Sequence, residues 1–408
     1  MTTGCFLNPR AQRGAYPKEL AAVLSPAQGT RYAAWLSRWP RVPDTPTPLV
    51  SLPAQAERLG LGGLALKDEG RRSLLGSFKA LGAPVALVAE VLRCHPTWDG
   101  MSVLAGRYAE ALGGFTVISA TDGNHGRSLA AAAQDAGCRC VIVLHAEVSE
   151  EREAAIAVLG AKIVRVSGNY DASVAEAARL AEAEGWQVIS DTSYAGYEQI
   201  PGDVMQGYSR IAAEALAQAP EGFTHVVLQG GVGGLAAGMV SEFWGRQGAD
   251  RPTVLVVEPV QADCLLQSAR EGRAASATGS VDSVMAGLAC GEASPLAWRF
   301  LESSVDAFLT IEDNAAIAAM RRLAEGSDRE PPLVVGECGA AGLAALEGLS
   351  AEDRQALGLD ETASVLLINT EGATAPAAYA ALVGEPAEAV SLRRDAWRPR
   401  PSHTRSAS

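Results

Sequence analysis

The chain has 408 residues, of which 48% are hydrophobic, 20% charged and only 5% aromatic, with a formal net charge of −13. Such a chain can bury a large core in more than one layer, while its acidic balance repels nucleic acid and anionic membrane and leaves a small molecule as the expected partner. Seven scattered cysteines without a Cys-x-x-Cys, and five scattered histidines, offer no metal-ligand spacing, so no metal is expected.

The first residues, Met1-Thr2-Thr3-Gly4-Cys5, lack the charged segment and apolar run of a leader. No stretch approaches roughly 18 uninterrupted apolar residues, and the expected location is cytoplasmic. The Pro-rich segment 42–50 reads as an extended N-terminal arm. Lys79 follows in Gly76-Ser77-Phe78-Lys79-Ala80, in the first turn of a helical stretch over 80–91. From there β-rich apolar runs at 115–120, 140–145, 162–166, 187–190, 226–229, 253–257, 308–311, 333–335 and 365–368 recur along the chain. Amphipathic helical patterns at 125–136, 150–159, 172–183 and 203–217 fall between the earlier ones. Alternation at this spacing predicts βαβ units, hence an α/β fold of parallel-rich twisted sheets covered by helices, each strand buried on both faces. The last seventeen residues, 392–408, carry five arginines against one aspartate, with Pro399, Pro401 and several serines, and read as a mobile basic tail.

Four places along this pattern can carry chemistry. Lys79, flanked by apolar residues and preceded by Ser77, can form an imine or act as a base once desolvated, although a lone lysine is most often a surface residue. Ser119-Ala120-Thr121-Asp122-Gly123-Asn124-His125-Gly126-Arg127 runs from a strand into a helix, where free backbone N–H groups collect and can hold a carboxylate. The bland role for Asp122 there is a helix N-cap; for Asp191 it is capping the following turn, and for His125 satisfied packing. Gln229-Gly230-Gly231-Val232-Gly233-Gly234 is a second strand-to-helix turn, and it lacks a Walker lysine or a ribose-binding acid, which favours a phosphate without a nucleotide. Finally, Ile368-Asn369-Thr370-Glu371-Gly372 ends the last predicted strand. A reactive lysine with a phosphate-cradling glycine loop is what pyridoxal 5'-phosphate (PLP) needs, and a hydroxyl such as Thr370 can meet the pyridine nitrogen without protonating it, which favours β-elimination or β-replacement.

The order of these blocks resembles the tryptophan-synthase-like (fold type II) PLP-dependent enzymes, and over most of its length the chain is similar to the diaminopropionate ammonia-lyase family. The matching stretches are Thr45-Pro46-Thr47-Pro48-Leu49-Val50, Lys67-Asp68-Glu69, Ala120 to Arg127, Gly168-Asn169-Tyr170-Asp171, Ser190-Asp191-Thr192, Gly196-Tyr197, Ile200-Pro201, Met205-Gln206-Gly207-Tyr208, Met285 to Glu292 and Gly336-Glu337-Cys338-Gly339. The run Ser73-Leu74-Leu75-Gly76-Ser77 departs from the family's Phe-Gly-Leu-Asn-Ala before the lysine. The resemblance implies a two-domain fold, with a large PLP-binding domain (1–85 and 205–391) and a small one (86–204), and a homodimer. It implies conversion of 2,3-diaminopropionate to pyruvate and two ammonia molecules, with Lys79, Asp122 and Asp191 catalytic. Phe78, Lys79, Asn124, Gly230, Gly231, Val232, Gly233, Gly234 and Thr370 would bind the cofactor. Thr121, Asp122, Gly123, His125, Asp191 and Tyr194 would bind the substrate. Cys264 and Cys290 lie in or near matched segments, and whether they pair is left open, cytosol disfavouring a disulfide. Two alternatives stand beside this reading: another PLP eliminase, dehydratase or β-replacement enzyme acting on serine, threonine, hydroxyaspartate or O-activated serine, and a non-catalytic ligand-binding protein on the same scaffold.

Overall fold

The computed structural model describes residues 3–121, 123–146, 148–168 and 170–399. Eleven strands occur in chain order: β1 (Gly4–Leu7), β2 (Leu49–Ser51), β3 (Gly63–Asp68), β4 (Thr116–Ala120), β5 (Arg139–Leu144), β6 (Lys162–Arg165), β7 (Gln187–Val188), β8 (His225–Gln229), β9 (Thr253–Pro259), β10 (Ala307–Ile311) and β11 (Ser364–Asn369). They form two sheets, one of seven strands in the order β1-β10-β9-β8-β11-β3-β2 and one of four in the order β6-β5-β4-β7. Every pairing inside both sheets is parallel, and only the edge strands β1 and β2 run antiparallel to their neighbours.

The sequence explains this. β8 (His-Val-Val-Leu-Gln) and β10 (Ala-Phe-Leu-Thr-Ile) are buried at every position, as central parallel strands covered on both faces must be. Crossovers between parallel strands need helices, and the helices Asn124–Ala136, Tyr170–Glu184 and Gly234–Gln247 supply them. One hydrophobic cluster joins the sheets, taking Val117 and Ile142 from the small one and Val226, Leu228 and Val256 from the large one. Separate clusters fill the outer faces, around Leu309, Leu343 and Val365 on the large sheet and around Ile118, Val143 and Ala177 on the small. The helix Gln199–Gln218 packs on the turn that carries Lys79, and it approaches so closely that a Cβ at Gly207 would lie 2.0 Å from Leu81 O. Only glycine fits there.

A fully buried ionic cluster lies beside β3. Lys67 Nζ donates to Glu214 Oε2 (2.8 Å), Gln218 Oε1 (2.7 Å) and Thr47 O (2.9 Å). Arg72 forks onto both Glu69 and Glu214, and Arg210 Nε reaches Glu214 at 2.7 Å. Burial opposes the charge on Glu214, but its bonds to Arg72 outweigh that and hold its pKa down at about 2.

Three expectations need correction. The apolar run 333–335 is not a strand: it follows Pro331 and Pro332, whose missing N–H groups cannot join a ladder, and Leu333 and Val335 are buried as core instead. Nor does the basic tail begin at residue 392. The helix Ala387–Ala396 runs through that point, and Arg394 Nη1 donates to the buried Asp68 Oδ2 at 2.9 Å, so packing and a charge partner hold this arginine. Lys79 sits in a 3-10 turn, Phe78–Leu81, ahead of the helix Ala83–Cys94, rather than in the helix's own first turn. Among the described residues no helix is long and apolar enough to cross a membrane.

Candidate active site

A short antiparallel contact brings Lys79 to the end of β11. Ser77 pairs with Glu371 across an isolated bridge, Phe78 N donates to Thr370 O at 3.0 Å, and Gly372 N donates to Gly76 O at 2.9 Å. The Lys79 side chain then runs past two rings, with Nζ 5.2 Å from the Phe78 centroid and 5.9 Å from that of Tyr208. Nζ donates to Asp191 Oδ2 at 2.5 Å. Burial would lower the lysine's pKa, but the Asp191 charge overrides it and raises it. Burial likewise acts against Asp191, yet Lys79 and then His125 hold its carboxyl far below the usual range. The two side chains remain 20% and 22% exposed, so a small molecule can reach the pair.

His125 is buried, and that burial lowers its pKa, leaving a neutral ring. With Ile189 O only 2.9 Å from Nε2, the proton is assigned to Nε2, and Nδ1 is left as a bare acceptor 3.7 Å from Asp191 Oδ2. His125 stands in the first turn of the helix Asn124–Ala136, whose N-terminus has no side-chain cap. Its opening N–H groups therefore lack intrahelical acceptors. Thr121 is buried just before this turn, and its Oγ1 accepts from Gly123 N at 3.4 Å. Asp122 lies outside the described residues. Asn124 Nδ2 donates to Glu371 Oε2 at 2.5 Å, which ties this turn to the end of β11.

The glycine loop closes the other side. Gly231 (φ +61°) and Gly233 (φ +98°) adopt left-handed conformations that L side chains rarely take, and the helix Gly234–Gln247 that follows has no side-chain cap. Its free N–H groups form a nest for an anion. Val232 holds the loop from behind, its carbonyl accepting from Ser294 N at 3.0 Å, and Gly230 N is anchored on Val257 O at 2.9 Å. A Cβ on Gly234 would lie 3.7 Å from Asp191 O, so the nest adjoins the Lys79–Asp191 pair. Cys264 Sγ donates to Gly231 O at 3.4 Å and Cys290 Sγ lies 3.5 Å from a Cβ built on Gly231, but no disulfide joins the chain's seven cysteines.

Among the described residues, five side-chain atoms around this lysine are buried without a hydrogen-bond partner: Ser77 Oγ, Thr370 Oγ1, Glu371 Oε1, His125 Nδ1 and Tyr208 OH. Native proteins rarely leave such groups unsatisfied, so the cluster is built for a polar ligand. The sequence profile of the family described as "Pyridoxal-phosphate dependent enzyme" matches residues 42–371. The chain belongs to this family.

Within this family the chain is similar to diaminopropionate ammonia-lyases. That of Salmonella typhimurium is 36% identical over 353 residues, covering 83% of this chain and 87% of its own length. That of Escherichia coli is 36% identical over 356 residues, covering 85% and 89%. The crystal structure of the Escherichia coli enzyme in complex with an aminoacrylate-PLP azomethine reaction intermediate superposes with a TM-score of 0.84 at 32% identity, over 94% of this chain and 97% of that one. Maize serine racemase, at 22% identity and a TM-score of 0.70, shares the fold.

The residues fit PLP. Lys79 would offer the amine, the nest at 230–234 the phosphate cradle, Asn124 an amide and Thr370 a hydroxyl that is unpartnered among the described residues. Most of the expected residues therefore converge. Tyr194 stands apart: 48% exposed, it stacks on Tyr197 at 4.8 Å on the rim. Glu371 and Tyr208 were not foreseen as part of the site. Glu371 is visible in sequence only as the neighbour of Thr370, and Tyr208 only as part of the Met205–Tyr208 run. Beyond the 76–78 contact, a cavity of about 630 Å³ is lined by Arg71, Leu74, Gly76, Arg127 and Thr374 among others. Of the departing segment before the lysine, Leu74 and Gly76 line this cavity, whereas Leu75 and Ser77 are buried.

Proposed function

We infer that the protein is a PLP-dependent ammonia-lyase that converts 2,3-diaminopropionate and water to pyruvate and two ammonia molecules. The observation that carries this reading is the Asp191 carboxylate, held ionised against Lys79 Nζ. Once the lysine amine is engaged elsewhere, Asp191 needs another cation. A β-ammonium supplies one, whereas the β-hydroxyl of serine or threonine does not.

When bound, PLP supplies the aldehyde that captures an amino group and the electron-withdrawing ring that acidifies the substrate's Cα–H. The chain's own residues do the rest. Thr121, Gly123 and the opening N–H groups of the helix Asn124–Ala136 receive the substrate carboxylate. His125 Nδ1 offers an acceptor beside it. Lys79 Nζ accepts the Cα proton of one enantiomer, and Asp122 accepts that of the other from the opposite face. Phe78 and Tyr208 keep bulk water from Nζ. Thr370 would offer the bound cofactor's pyridine nitrogen a neutral hydroxyl, which would favour prompt loss of the β-amine.

The two sheets are in keeping with a large and a small domain, although the expected boundaries at 85/86 and 204/205 fall inside the helices Ala83–Cys94 and Gln199–Gln218. The family resemblance supports a homodimer working in the cytoplasm. The test is pyruvate release from both enantiomers of diaminopropionate, set against serine and threonine, with wild type and Asp122→Asn. Release from diaminopropionate well above the other amino acids, with Asp122→Asn impairing one enantiomer far more than the other, is expected. Faster turnover of serine or threonine would overturn the substrate assignment, and equal losses on both enantiomers would remove the role of Asp122.

A further inference from the structure

Glu371 has no assigned work in the reaction above, yet it is one of the most constrained side chains of the site. It is 5% exposed and bridged through its backbone to Ser77, two residues before Lys79. Its Oε2 accepts from Asn124 Nδ2 at 2.5 Å and from Thr374 Oγ1 at 3.3 Å, while Oε1 is buried with no close partner among the described residues and the carboxyl interacts with the Cys338 thiol. A buried carboxylate facing no arginine or lysine at bonding distance among the described residues is costly, so its retention at the end of β11 asks for a reason.

The direction of the hydrogen bond supplies one. An ionised carboxylate only accepts, so Asn124 must turn its NH₂ toward Glu371. That leaves the second N–H of the amide and its Oδ1 in defined places; without the carboxylate the amide can turn over. We propose that Glu371 is a positioning residue for the cofactor, which acts by fixing which edge of the Asn124 amide is offered to it. This rests on the PLP reading of the site. Glu337, buried nearby, fits the same picture. Burial first, and then the negative charge of Glu371, push its pKa up to about 7, and Arg152 reaches it only at 3.9 Å. Cys338 is also pushed up, by burial and then by Glu371 and Glu337.

The experiment compares holoenzyme of wild type, Glu371→Gln, Asn124→Ala, Asn124→Asp and the double variant Glu371→Gln/Asn124→Ala. The readouts are cofactor release on dilution and the visible absorption of the Lys79-bound cofactor, with circular dichroism to verify folding. Glu371→Gln is expected to release cofactor about fivefold more readily, the difference between a charged and a neutral hydrogen bond, and to shift the visible band. In the Asn124→Ala background the same change is expected to add nothing, because Glu371 acts through that amide. Asn124→Asp, which sets a second carboxylate against Glu371, is expected to lose cofactor more readily than Asn124→Ala; read alone, it carries the test where Glu371→Gln does not fold. An undiminished effect of Glu371→Gln in the Asn124→Ala background, or Asn124→Asp no worse than Asn124→Ala, would overturn the proposal. Wild-type protein with no borohydride-trapped adduct on Lys79 would overturn the cofactor reading itself, whatever the variants do.

Discussion

Lys67 and Lys79 both sit among carboxylates inside the protein, but their surroundings differ in one respect. Around Lys67 the donors and acceptors are matched: Glu69, Glu214, Arg72, Arg210, Gln218 and Thr47 bond one another from several directions. Around Lys79 the lysine's own partner is Asp191, and five neighbouring polar atoms are left with none among the described residues. The first arrangement has nothing left to offer a ligand, whereas the second is complete only when something binds. A buried charge by itself does not mark a functional site. An incompletely satisfied one does.

The largest expected difference comes from removing each lysine's role. Lys79→Ala should lower kcat/KM about 10³-fold or more, with the unfolding midpoint little changed; a folded, active Lys79→Ala protein would break the comparison. Glu214→Gln, in the matched cluster, should do the reverse. It should cost about 3 kcal/mol in urea unfolding because it weakens three cationic contacts at once, while the surviving folded protein keeps its turnover number. Asp191→Asn should lower diaminopropionate turnover about 10²-fold and any serine turnover by much less, since only the former brings a second cation.

pH sharpens the contrast. The folded pKa of Glu214 is depressed to about 2 from an ordinary 4.5. Its contribution to stability is therefore fully present above about pH 4.5 and is lost as the pH falls toward 2. The urea midpoint of wild type should drop across that window more steeply than that of Glu214→Gln, and parallel curves would show that the cluster is not what titrates. The smallest effect belongs to the rim. Tyr194→Phe, which keeps the stack on Tyr197, should change KM by less than about threefold, measured as initial rates of pyruvate release.

Much of this was legible in the sequence. Lys79, the 119–127 turn, the glycine loop and Thr370 were each readable because strand-to-helix turns carry glycine and small polar residues in fixed order. The interior parallel strands were readable because they are continuous runs of Val, Ile and Leu. What failed did so for physical reasons. β1, β2 and β3 are short or carry polar residues, and Lys67, Asp68 and Glu69 look like surface until Arg72 and Glu214 arrive from elsewhere. The run 333–335 has a strand's composition but proline at its head. Glu371 escaped notice because an acid is ordinarily read as solvated, and only the fold shows that its partner is an amide far earlier in the chain. Arg394 reads as tail in the sequence because its counter-ion, Asp68, lies near the opposite end of the chain.

The pairing of Phe78 with Thr370 and of Gly76 with Gly372 has a consequence for how the protein is made. The reactive amine and the residues that complete its surroundings come from opposite ends of the polypeptide, so a ribosome must deliver β11 before a competent pocket exists. A nascent chain halted short of that strand can already have its inner parallel strands in place, yet it would bind no vitamin-derived aldehyde productively, and acquisition of colour becomes a late reporter of complete synthesis.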